Sequence, residues 1–133
     1  AGFEFEIYAT EAYASGKILD LWIHDMLGLS LLEKLGQYVS EIVEHSARER
    51  CWGVTPILSP GSVNGWQLSE QPLLCSLLPL HQIEVELTDM GMLKPSKSLC
   101  FLVGTGPGLK ESKIGTPCKA CRKKNSCTMN SHL

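Results

Sequence analysis

Seven of the seventeen residues from Trp52 to Leu68 are Gly, Pro or Ser, in the order WGVTPILSPGSVNGWQL. A stretch so punctuated can form neither a long helix nor a central strand, so it must be a shaped loop. That loop divides the chain into a front part and a remainder, each of which has to be read by its own periodicity.

In the front part, Phe3, Phe5 and Ile7 alternate with Glu4, Glu6 and Tyr8, the period-two pattern of a half-buried strand. After Ser15 and Gly16 the spacing turns helical, with Ile18, Leu19, Trp22, Ile23 and Met26 on one side, and Gly28 is expected to break or bend that helix. A second helix is predicted from Ser30, because Leu31, Leu32, Leu35, Tyr38, Val39, Ile42 and Val43 form an apolar stripe while Glu33, Lys34, Gln37, Glu41, Glu44 and Arg48 face outward. Ser30 with Glu33 three residues later has the form of a capping box. Behind the loop, Ser69 is expected to cap a short helix that tolerates Pro72 in its first turn and ends at Pro79. Ile83, Val85 and Leu87 alternate with Glu84 and Glu86 as a second strand, and the apolar run 99–103, closed by Gly104, Gly106, Pro107 and Gly108, reads as a third. The order predicts an α+β domain: a small, mainly antiparallel sheet with helices packed on it.

At 133 residues and 44% hydrophobic composition there is room for one domain with a real core. Lys17, Asp20, His24, Asp25, Glu33 and Lys34 interrupt the most apolar stretch, so no segment is expected to span a membrane. The opening carries no signal-peptide pattern, and a start at Ala1, directly into a strand-like segment, suggests a trimmed or partial chain. The net charge of −2 is uneven: between Lys110 and Lys124 six Lys/Arg stand against Glu111 alone, a local +5 on a body of about −7. We therefore divide the sequence into an α+β domain over 1–108 and a basic, Cys-rich tail over 109–133. The arm can solubilise itself or meet phosphate or an acidic protein partner; a nucleic-acid partner is not expected. Cys51, Cys75 and Cys100 sit in apolar or periodic surroundings and read as buried small hydrophobes, which favours a reducing, cytoplasmic setting over a disulfide framework.

The tail holds the densest chemistry. Cys118, Cys121 and Cys127 follow the spacing C-x-x-C-x5-C among Lys119, Arg122, Lys123 and Lys124, whose charge favours the thiolate form. A C-x-x-C turn brings two sulfurs to one metal ion, and a third Cys can fold back to the same centre. Cys100, His132 or an exogenous group could be the fourth ligand. An open fourth position suits an iron–sulfur cluster, and a closed tetrahedron suits structural zinc; an inert tail, or one closed by a disulfide, is the remaining alternative.

The loop SPGSVNGW, followed by SEQPLL and then by IEVELTDMGMLKPSKS, resembles the activation (reactivation) domain of cobalamin-dependent methionine synthase and its short stand-alone relatives. In that family an R-x-S-P-G-Y loop, often continuing to G-W, leads into a helix, a strand of the type G-V-x-L-T/S and an L-x-P-x-x-S turn. The matching residues are Ser59, Pro60, Gly61, Gly65 and Trp66, then Val85, Leu87 and Thr88, then Leu93, Pro95 and Ser98; the helix opening at Gly28 to Glu33 is similar as well. The likeness covers about residues 28 to 103. Two positions depart from it, since the family's Arg falls on Ile57 and its Tyr on Ser62.

The resemblance implies a methionine synthase activation domain-like fold, S-adenosylmethionine in a groove beside the sheet, and a corrinoid protein or methyltransferase as partner. It makes Ser59, Pro60, Gly61, Ser62, Gly65 and Trp66 the expected cofactor-binding residues. Gly61 and Gly65 would let backbone amides approach a ligand closely, and Trp66 would either offer an aromatic face or close the loop as a core residue. The function so implied is that of an accessory protein of corrinoid and methionine metabolism, with an iron–sulfur or metal site in the tail. A zinc-stabilised protein-binding module without catalysis is the alternative. No catalytic residue can be named, and whether the chain is an enzyme stays open; if it is one, it belongs to a methyltransferase reactivation system. His24 and His45 read as surface or satisfied histidines, Glu84 and Glu86 as solvated, and the run 104–108 lacks the spacing of a dinucleotide loop.

Overall fold

The computed structural model describes residues 2–115. The described chain forms α1 (Phe3–Ala14), α2 (Ile18–Glu49), β1 (Gly53–Val54), α3 (Gln71–Cys75), β2 (Glu86–Leu87), β3 (Leu93–Lys94) and β4 (Thr105–Gly106), with 3-10 turns at Leu68–Glu70 and Leu80–Gln82. Three helices and two small antiparallel ribbons make an α+β protein, as expected. The sheet is not the single one expected: β2 pairs with β3, and β1 pairs with β4. The residues fall into two compact units, one of the chain up to Tyr38 with Cys75–Leu99, the other of Val39–Leu74 with the described residues from Cys100 on.

In the first unit, the segment predicted as an opening strand is the helix α1. Its alternation lasts only six residues, whereas Phe5, Ala9 and Ala12 also fall on one helical face and, with Glu6, are the residues of α1 that become half-buried or buried. Glu and Ala favour helix, and Glu4 and Glu6 lie in the first turn, where the helix dipole favours negative charge. The helix closes in a Schellman arrangement at Gly16, with Lys17 N donating to Ala12 O (2.9 Å) and Gly16 N to Tyr13 O (3.1 Å).

The two helices expected on either side of Gly28 are one, α2, of 32 residues. Gly28 is buried, and a Cβ there would lie 2.7 Å from Cζ of Phe5. Its role is close approach of α1, not interruption. Ser30 accordingly caps nothing: its hydroxyl donates to Met26 O one turn back (3.0 Å), and Glu33 accepts from Gln37 Nε2 (3.3 Å). Two polar ties bind the segment after β3 to the helices, since Lys97 pairs with Asp25 and Ser96 N donates to Glu6 Oε1. The core of this unit includes Ala12, Leu32 and Cys75. The predicted strand 83–87 is only two residues long, because Glu84 adopts φ +51° and the 3-10 turn before it uses up the start. It forms a hairpin, Glu86 opposite Lys94 and Leu87 opposite Leu93.

In the second unit, residues 39–49 of α2 end in another Schellman arrangement, Trp52 N to Ala47 O (2.9 Å) and Cys51 N to Arg48 O (3.0 Å), with Cys51 in the left-handed region at φ +54°. Ala47, Val54 and Leu74 form its buried centre. The predicted strand 99–103 is reduced to one bridge, Leu102 with Leu58, and pairing resumes at β4, with Val54 opposite Thr105. Residues beyond 108 stay attached: Val54 N donates to Glu111 O (2.8 Å) and Ile114 N to Glu44 Oε1 (2.7 Å).

Candidate functional site

The loop between Leu58 and Ser69 is held at its base by the Leu58–Leu102 bridge, whose two backbone bonds measure 3.0 and 2.8 Å. Ser59 to Ser62 form a tight turn, with Ser62 N donating to Ser59 O (3.1 Å) and the Ser62 hydroxyl donating to the same carbonyl (2.7 Å). Since the Ser62 proton is used there, the 2.8 Å contact between the two hydroxyls requires Ser59 Oγ as donor. Pro60 is buried. Ser59, Pro60 and Ser62 are thus the rear brace of the loop and do not line its opening.

The front of the loop is a second turn. Gly61 N donates to Trp66 O (2.9 Å) and Trp66 N to Val63 O (3.3 Å), with Gly61 at φ +82° and Gly65 at φ +80°, where L side chains are strained. The amide of Gly61 is therefore engaged by the loop itself. Gly65 keeps open space: a Cβ there would meet nothing within 4 Å. After the turn, Gln67 rather than Ser69 is the cap, its backbone N donating to Glu70 Oε2 (2.9 Å) within a reciprocal capping box. Ser69 lies inside the 3-10 turn because Glu70 reaches back to Gln67.

Between these parts lies a hollow of about 680 Å³, lined by Gly61 and by the run from Val63 to Ser69. Trp66 is half-buried and forms part of its wall instead of filling it. Among the described residues, no cationic side chain lines it. Ile57, at the position of the family's Arg, is half-buried and donates its backbone N to Gly115 O (3.2 Å). The wall thus offers an indole, the amides of Asn64 and Gln67, the hydroxyl of Ser69 and apolar surface from Val63 and Leu68. This set can stack on and hydrogen-bond a neutral planar group; it has no fork for a carboxylate.

The metal-ligand set Cys118, Cys121 and Cys127 lies outside the described residues, as does His132. Among the described residues no group of three or more His, Cys, Asp or Glu could hold a metal ion. Of the three cysteines expected to be buried, Cys75 is (2% exposed), Cys100 is half-buried, and Cys51 is exposed because it occupies the turn that ends α2. His24 is satisfied, its Nε2 2.8 Å from Phe5 O, and His45 lies near Glu49 on the surface. A smaller hollow of about 300 Å³ includes Ser46, Arg50, Trp52 and Thr105, with the Arg50 guanidinium 5.3 Å from the Trp52 ring centroid. Sequence reasoning missed this pair; an Arg and a Trp two residues apart at a helix end were its signal. Among the described residues, no helix is long and apolar enough to cross a membrane.

Comparison of the chain with protein-family models, with curated proteins and with solved structures gives no match.

Proposed function

We propose that the chain is an accessory protein of corrinoid metabolism, similar to the reactivation domain of cobalamin-dependent methionine synthase. The observation that carries this reading is the open hollow of about 680 Å³ beside a glycine-turned loop whose Trp66 stands at the wall. Its volume lies within the range of small-molecule sites, about 300–1,000 Å³. S-Adenosylmethionine fits it by its nucleoside part: the indole face suits adenine, and the amides of Asn64 and Gln67 suit adenine or ribose edges. When bound, that ligand supplies an electrophilic methyl group to the reduced cobalt of a partner corrinoid protein or methyltransferase. The residues of the loop bind and orient; none is assigned a proton to move. A cytoplasmic setting keeps the six thiols reduced, and Cys118, Cys121 and Cys127 then serve an iron–sulfur cluster, consistent with corrinoid chemistry that needs single electrons.

Calorimetry with S-adenosylmethionine tests the hollow. Heat that saturates in wild type and vanishes in Trp66→Ala supports the reading, and no heat at high micromolar ligand sinks it.

The second reading, a zinc-stabilised protein-binding module, is favoured by one observation: Ile57 stands where a carboxylate-binding Arg would be, so the anchor for the amino-acid end of the ligand is gone. Metal analysis of anaerobically purified protein separates the two. Iron with a visible absorption that dithionite bleaches supports the first, and colourless protein with stoichiometric zinc supports the second.

A further inference from the structure

The end of α2 builds a second hollow that the loop reading does not use. Ile42, Val43, Ser46 and Ala47 recur at helical spacing, so they share one side of the last turns of α2. The helix stops at Glu49, and the Schellman turn after it brings Trp52 to the same side, with Arg50 between. Thr105, opposite Val54 on β4, completes the wall. The enclosed space is about 300 Å³ and shares no residue with the hollow at Trp66.

The chemistry of this wall has one sign. Arg50 is the charged side chain that lines it, and among the described residues no carboxylate does. Glu49, the nearest acid in sequence, lies beside His45 at 3.8 Å. The guanidinium of Arg50 stands 5.3 Å from the Trp52 ring centroid. A guanidinium over an aromatic ring keeps its in-plane N–H groups for other partners. Among the described residues, neither that guanidinium nor the hydroxyls of Ser46 and Thr105 has a hydrogen-bond or ion-pair partner. The carbonyls of Ala47 and Arg48, which would put partial negative charge at this helix end, are engaged by Trp52 N (2.9 Å) and Cys51 N (3.0 Å).

We propose that this hollow binds a small organic carboxylate with a compact apolar body. The carboxylate takes the fork of Arg50, whose geometry it matches, and can accept from the Ser46 and Thr105 hydroxyls. The body covers the indole of Trp52 and the aliphatic surface of Ile42, Val43 and Ala47, which a bare inorganic anion would leave wet. At about 30 Å³ for each water-sized group, the space holds roughly ten non-hydrogen atoms, the size of phenylacetate.

Phenylacetate titrated into the isotopically labelled full chain, followed by the three tryptophan indole N–H signals in nitrogen–proton correlation spectra, tests this directly. Trp52→Phe assigns the signal that reports the site. That signal is expected to shift and saturate with a Kd of about 0.1–1 mM, while the Trp22 and Trp66 signals stay in place. Phenylacetamide, which has the same shape without the charge, should bind wild type at least about tenfold more weakly, and so should acetate and inorganic phosphate, which lack the apolar body. Arg50→Gln should cost about tenfold or more, and Arg50→Lys, which keeps the charge and loses the fork, about threefold or more. Absence of any Trp52 shift at about 10 mM phenylacetate overturns the proposal, since even weak capture would show there. Phenylacetamide, acetate or phosphate binding as well as phenylacetate overturns it too, and these comparisons use wild type, so they stand even if an Arg50 variant folds poorly. A folded Arg50→Gln that binds like wild type does the same.

Discussion

The imidazole of His24 lies against the ring of Phe5, with 3.6 Å between centroids and 23° between planes, and its Nε2 stands 2.8 Å from the carbonyl oxygen of that same residue. A carbonyl only accepts, so Nε2 carries the proton, and one residue of α2 holds both the side chain and the backbone of one residue of α1. Tyr8 leans on the same imidazole at 4.7 Å.

His24→Ala removes all of these contacts, and we expect a loss of about 1–3 kcal/mol in denaturant unfolding. Hydrogen exchange should show the amides of α1 opening first. His24→Phe, which keeps the stacking and loses the bond, should recover part of the loss.

Gly28→Ala should destabilise by about 1–3 kcal/mol, because the new methyl would press on a Phe5 ring already pinned by His24. Were the space beside Gly28 open, the same change within a continuous helix would stabilise by about 1 kcal/mol. The sign of the shift in urea midpoint decides, and Phe5→Leu in the Gly28→Ala background should restore part of the loss.

Cys51→Gly should raise stability by about 1 kcal/mol, since Cys51 is exposed, occupies the left-handed region and contributes little packing that glycine would lose. Thermal unfolding with an unchanged near-ultraviolet spectrum is the check.

Glu70→Ala removes one arm of the capping box at Gln67, for an expected loss of about 1 kcal/mol. If the hollow binds S-adenosylmethionine, the variant should also bind it more weakly while Ser62→Ala, at the rear brace, leaves the heat of binding nearly unchanged; titration calorimetry reads both.

How far these features could be read in advance differs by element. The helical stripe from Leu31 to Val43 was legible because its period repeats over more than three turns, whereas Phe3 to Tyr8 offers too few residues to separate period two from the 5, 9, 12 face that α1 uses. Gly28 and Ser30 look like punctuation locally, and only the approach of Phe5 shows that the helix runs on through them. The loop was legible as a loop from its Gly, Pro and Ser. Its inner bonding was not, since whether the Gly61 amide faces a ligand or the Trp66 carbonyl depends on a turn closing across five residues. The short β pairings were overestimated in length because apolar runs such as 99–103 fix burial without fixing a partner.

The bond from Gly61 to the carbonyl of Trp66 makes the loop a closed ring before anything meets it. Its chain entropy is surrendered when the protein folds, not when a guest arrives, so a guest meets a rigid seat. For the ligand proposed above, this preformed turn would lower the ordering cost of binding, and differences among ligands are expected in how long each one stays.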